Sequence, residues 1–94
     1  MLTYKAAYFV CDDGVHVEAL DFPGVISSGK DIPEARSMIQ SALLDMADYY
    51  LDTGKPLPLP NPQATDPEAD IEEPLYLLLK AASHVEVVPR EIPA

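Results

Sequence analysis

Residues 21–54, DFPGVISSGKDIPEARSMIQSALLDMADYYLDTG, decide the fold. The stretch opens on a turn, Asp21-Phe22-Pro23-Gly24, then passes through a short β-branched piece, Val25-Ile26-Ser27-Ser28, that stops at Gly29. From there it runs into the one segment long enough to be a substantial helix. Asp31 stands at the N-cap position, Glu34 three residues on completes a capping box, and Pro33 lies in the first turn, where a missing N–H costs nothing. Ala35, Ile39, Ala42, Leu43, Met46 and Tyr50 then recur at spacings of three and four, forming one apolar stripe. Gly54 sits where a left-handed C-terminal residue is wanted, and Pro56 forbids continuation. The pattern predicts a helix over 32–53.

Upstream, residues 2–10 (LTYKAAYFV) carry Leu2, Tyr4, Ala6, Tyr8 and Val10 on one set of alternate positions and Thr3, Lys5, Ala7 and Phe9 on the other. Aromatic and β-branched content favours a strand. Asp12-Asp13-Gly14 is a hairpin turn signal, and VHVEAL at 15–20 alternates Val15, Val17 and Ala19 against His16, Glu18 and Leu20. With residues 25–28, this makes three antiparallel strands ahead of an amphipathic helix, a two-layer α+β unit.

Downstream, residues 56–68 (PLPLPNPQATDPE) place proline at every second position at first, which enforces an extended polyproline-II path. The segment reads as a stiff connector, spanning 56–70 and long enough to pack along a surface; its alternative reading is a proline-rich ligand for an aromatic-lined groove. Asp66, Glu68, Asp70, Glu72 and Glu73 concentrate carboxylates over 66–73. IEEPLYLLLKA at 71–81 contains good helix formers, yet Leu75, Leu77 and Leu79 alternate, and a fourth strand here would form a β-α-β crossover back into the sheet. HVEVVP at 84–89 predicts a further short strand, with exchange between subunits as an option. The tail REIPA is expected to fray.

Ninety-four residues make one domain, residues 1–94, with a formal charge of −10. Lys5, Lys30, Arg36, Lys55, Lys80 and Arg90 are scattered singly, a poor basis for binding phosphates. The acidity has two readings, solubility or a basic partner. Cys11 is the single cysteine, so no intrachain disulfide can form, and a reducing compartment is expected. The start lacks a basic n-region, and no apolar run approaches the roughly 20 residues of a membrane span, so the expected location is the cytoplasm.

The chain resembles the HicB-like antitoxin family. The likeness rests on the acidic-Gly hairpin Asp12, Asp13, Gly14, on Asp21-Phe22-Pro23-Gly24-Val25 at the family's D-x-P-G turn, and on Gly29 before the helix. It continues through Glu34-Ala35 in the first helical turn and the exit Asp52-Thr53-Gly54-Lys55-Pro56-Leu57-Pro58. These motifs cover about residues 1–62, with a looser likeness through Ile71-Glu72-Glu73-Pro74-Leu75. The resemblance implies a partial RNase H-like fold, assembly as dimers or tetramers, and inhibition of HicA, a small basic toxin that acts on messenger RNA. Many members add a C-terminal DNA-binding domain. The expectation here is a form without one, and no operator binding by this chain alone.

For chemistry, His16 and His84 read as ordinary surface or interface histidines, and Cys11 beside two aspartates as an unreactive thiol. No ligand spacing or phosphate loop occurs, so no cofactor or metal is expected. Asp12, Asp13 and Asp21 could meet near the sheet ends as a metal-dependent nuclease, but turn chemistry accounts for the first two. The reading is therefore a non-enzymatic antitoxin; the alternatives are a residual RNase H-like hydrolase and an orphan oligomeric protein-binding domain. Tyr49, off the apolar stripe, is a contact candidate along with Asp66, Glu68, Asp70, Glu72 and Glu73, while Asp21, Pro23, Gly24, Gly29, Asp31, Glu34 and Gly54 carry structure. Because apolar side chains occur on both strand faces, a homo-oligomer is expected.

Overall fold

Period-two alternation in five segments and one capped helix produce an α+β architecture. In a computed structural model that describes residues 1–79 and 85–88, the strands are β1 (Leu2–Cys11), β2 (Gly14–Ala19), β3 (Ile26–Gly29), β4 (Ile71–Leu79) and β5 (Val85–Val88). Helix α1 (Ile32–Asp52) lies between β3 and β4. The sheet order is β3-β2-β1-β4-β5, and every neighbouring pair is antiparallel. The crossover expectation needs correcting: β4 is antiparallel to β1 and hence runs opposite to β3, so the handedness rule for parallel β-α-β units does not bear on it. β5 pairs with the β4 of its own chain. His84 and the tail expected to fray lie outside the described residues.

Register places the apolar sets on one face. Tyr8 stands opposite Val17, Ala6 opposite Ala19, Tyr4 opposite Leu75 and Leu2 opposite Leu77. Against them α1 buries Ala35, Ile39, Leu43 and Ala47, with Ala42, Met46 and Tyr50 at the rim of the stripe. Phe22, read from sequence as part of a turn, is wholly buried; its ring lies 5.1 Å from Tyr4 and 5.3 Å from Tyr50. The turn thus anchors the core as well as reversing the chain. Pro74 interrupts nothing, because both main-chain groups of Lys5 opposite it are used on the β2 side: its N–H donates to Asp21 Oδ1 and its carbonyl accepts from Leu20.

The second face of the sheet is closed in part by the connector. Lys5 Nζ donates to the Pro62 carbonyl at 3.2 Å, while the Thr65 hydroxyl and Asp66 N–H both donate to Glu72 Oε2. Lys5 and Glu72 belong to the positions facing away from the helix, and Ala7 between them is fully buried.

Both helix ends are closed. Asp31 accepts from Glu34 N–H at 2.9 Å, while the Glu34 carboxylate reaches the Lys30 amide, one residue before the cap. At the other end, Lys55 N–H bonds to Tyr50 O and Gly54 N–H to Leu51 O, the paired bonds of a Schellman motif, with Gly54 at φ +75°. Gly29 is needed for a different reason. A Cβ there would stand 2.4 Å from Ala35 N and 2.9 Å from Ala35 Cα, so β3 can meet the helix backbone only without a side chain. Gly29→Ala is expected to destabilise by about 1–3 kcal/mol, the range for overpacking. Gly54→Ala, which meets nothing within 4 Å, should cost about 1 kcal/mol through its backbone alone. Urea titration of both variants checks the order.

Candidate functional site

The acidic run is distributed by strand alternation onto both faces of β4. Glu73 points to the helix side, where Tyr8 Oη donates to its Oε1 at 2.6 Å and Arg36 holds it with two bonds, at 2.8 and 3.1 Å. Glu72, on the other face, receives Thr65, the Asp66 amide and, at 3.7 Å, Lys5 Nζ. Asp70 accepts from the Val10 amide at 2.7 Å and so extends the β1–β4 ladder by one residue. Asp66 Oδ1 accepts from the Glu68 amide, and the Glu68 side chain is exposed. The connector therefore does not hold these carboxylates clear of the chain. Most of them tie the connector and β4 to β1 and α1.

Asp21 acts similarly. Its two oxygens accept from the Lys5 amide at 2.9 Å and the Asn61 amide at 2.8 Å, fixing the D-x-P-G turn between β1 and the connector. Pro23 is exposed beside it, and Gly24 has φ +89°. The idea that Asp12, Asp13 and Asp21 converge is corrected by this geometry. Asp21 lies at Lys5, whereas Asp12 and Asp13 follow Cys11 at the far end of β1, about 20 Å away at strand rise. Among the described residues no three His, Cys, Asp or Glu side chains gather as a metal site. His16 is exposed, 3.2 Å from Glu18 Oε2 and tilted against Phe9. Cys11 is exposed and free.

Tyr49 is 52% exposed, with Lys55 Nζ 5.3 Å from its ring centroid. It lies about 20 Å along the helix from Arg36, so it does not join the 66–73 carboxylates. Its neighbours are instead Asp45, Asp48 and Asp52, exposed residues that share the outer side of α1 with it. None of the ion pairs among the described residues involves these three, and the last turn carries no basic residue. Sequence reasoning passed over this stripe, although its spacings of three and four were visible opposite Ile39, Leu43 and Ala47. It also passed over Arg36 and Tyr8 as the partners of Glu73, a contact that spans 37 and 65 residues and leaves no local signal.

A cleft of about 550 Å3 opens where the connector crosses the end of the sheet, lined by Met1, Thr3, Lys5, Pro60, Pro62 and Pro74 among others. Lys5 on its lining is already paired with Glu72. Tyr4 beneath it donates to the Pro58 carbonyl at 2.7 Å, and burial together with the Asp21 charge pushes its hydroxyl up to about 12. No helix among the described residues is long and apolar enough to cross a membrane. The chain matches no family model, and no characterised protein matches it.

The pH dependence follows from the two glutamates. Burial works to raise Glu73, but the hydrogen bonds from Arg36 and Tyr8 and the Arg36 charge outweigh it, leaving the carboxyl below its ordinary 4.5. Glu72 is lowered by the Thr65 hydroxyl, the Asp66 amide and Lys5. A carboxylate depressed on folding contributes stability that is present above its ordinary value and lost as pH falls through the folded value. The urea midpoint should accordingly lose this contribution below about pH 4.5, with little change from these two groups between pH 7 and 5. Glu73→Gln should lower the midpoint at pH 7 and flatten the acid limb, as read by urea titrations across the pH series.

Proposed function

We propose that the chain is an antitoxin-like binding protein of the HicB kind, which neutralises a small basic RNA-cleaving protein by occupying its RNA-binding face. The observation that carries this reading is the outer side of α1: Asp45, Asp48 and Asp52 flank an exposed Tyr49, and no ion pair among the described residues involves any of the three. They stand at the helix C-terminal half, where the macrodipole is already negative, and like charges at spacings of three and four repel one another. Local stability is given up there, and a basic partner would relieve the strain. The net charge of −10 adds a long-range attraction for such a partner. Glu72 and Glu73, committed within the fold, and Asp70, exposed but bonded to the Val10 amide, are poor candidates for masking; Glu68 is exposed.

The test is stopped-flow association with the small basic product of an adjacent reading frame, using wild type and the Asp45→Asn, Asp48→Asn, Asp52→Asn triple variant at two ionic strengths. The variant should associate about tenfold more slowly at low salt and show a flatter salt dependence. Its thermal stability should rise: removing Asp52 from the last turn relieves about 0.3–1 kcal/mol, and the Asp45–Asp48 and Asp48–Asp52 repulsions add about 0.2–0.5 kcal/mol each. An unchanged on-rate, or no complex at all, would overturn the reading.

A further inference from the structure

Residues 55–62, KPLPLPNP, alternate proline with a residue that precedes proline, so every backbone position is either locked near the polyproline-II φ or biased towards it. No regular helix or strand forms over residues 55–61, and a turn closed by the Ala64 N–H to Asn61 carbonyl bond follows at Pro62. Its side chains follow a threefold rhythm. In an extended strand Leu57 and Leu59 would share a face; here Leu57 packs against the core while Leu59 is 88% exposed. Positions 56, 59 and 62 are all exposed, whereas 57, 58 and 60 are half-buried, close to the rhythm of three residues per turn; the exposed Asn61 departs from it where the Asn61–Ala64 turn begins. The inner side is pinned: Tyr4 Oη donates to the Pro58 carbonyl, Asn61 N–H to Asp21, Lys5 Nζ to the Pro62 carbonyl, and Lys55 N–H to Tyr50 O. A connector that served only to cover the sheet would account for Leu57, Pro58 and Pro60, but not for a leucine held out into solvent in line with the exposed Pro56 and Pro62.

We propose that Pro56–Pro62 is a preformed polyproline-II ligand, presenting Pro56, Leu59 and Pro62 along one ridge to an aromatic-lined groove on a partner protein. The three positions repeat every 9 Å or so, the rise of one turn, which suits successive shallow pockets between aromatic rings. Because the ridge is already rigid, little conformational entropy remains to be lost on binding. Lys55, held over the Tyr49 and Tyr50 rings at 5.3 and 5.5 Å, gives the ridge a charged N-terminal end and so a direction. A lipid surface is a poor occupant for one leucine on a chain of charge −10.

The experiment titrates the full chain against a panel of purified proline-reading domains of the SH3, WW and EVH1 types, which serve as probes of aromatic-lined grooves. At least one should bind in the micromolar range. Leu59→Asp should weaken that binding by about tenfold or more, as for an anchor residue, Leu59→Met should retain it, and Pro60→Ala should weaken it by loosening position 59. Circular dichroism and thermal melts should be unchanged for Leu59→Asp, since the side chain touches little. Absence of binding across the panel, or binding indifferent to Leu59→Asp, overturns the proposal. So does a wild-type dimer that Leu59→Asp turns into a monomer, since the occupant would then be a second copy.

Discussion

Glu73 is a carboxylate on the helix-facing side of a sheet, and the layers can close only if it stays charged and fully answered there. A partly buried carboxylate without partners would be protonated or would hold the helix away from the sheet. Tyr8 from β1 and Arg36 from α1 supply three hydrogen bonds, so one side chain joins the central strand, its neighbour β4 and the helix. Arg36 suits the task because its planar fork grips both oxygens at once, which a lysine could not do. The Tyr8 hydroxyl needs the contact equally: the residue is wholly buried, and no buried side-chain polar atom among the described residues lacks a partner.

The same logic runs through the rest of the acidic composition. Asp31 and Glu34 answer amides at the helix start, Asp21 answers those of Lys5 and Asn61, Asp70 that of Val10, and Glu72 that of Asp66. Each carboxylate replaces a main-chain partner that an irregular path would otherwise lack. A connector of alternating prolines has few N–H groups with which to attach itself, so it is held through its carbonyls and through side chains reaching out from the sheet. That is why Tyr4 and Lys5 both end on proline carbonyls. Much of the negative charge therefore fastens loops, and its presence alone says little about partners.

The helix, the first hairpin and the strand faces were legible because each is written in local chemistry: a cap at Asp31, a turn at Asp12-Asp13-Gly14, alternation from Val15 to Ala19. Residues 71–79 were ambiguous by propensity and were settled as a strand by pairing with β1, which gives Leu75 and Leu77 a buried face. Phe22 was hidden by its Pro-Gly context; a turn signal describes where the chain bends and is silent about where the side chain inside the bend goes. The roles of the carboxylates were illegible for a stronger reason. Asp66 to Glu73 look alike as a charge run, and what separates Glu68 from Glu73 is a register across β1 and a helix 37 residues away from Glu73 in sequence. A charge count cannot contain that information.

The remaining charge is where function is best sought, and the helix end shows why. The C-terminus of α1 is closed by Gly54 and the Schellman bonds, so its geometry is secure without help from side chains. A basic residue in the last turn would have added stability at no structural expense. The nearby cation, Lys55, instead stands over the Tyr49 and Tyr50 rings, and Asp52 occupies the last helical position. Three carboxylates and an exposed tyrosine on one side, set against an unfavourable dipole, amount to a local choice that folding does not ask for. Most of the other acids among the described residues meet amides or cations; Asp12, Asp13 and Glu68 are exposed as well. On this side of the helix no ion pair among the described residues involves the three carboxylates, and a surface of that kind gains most from a partner that brings positive charge.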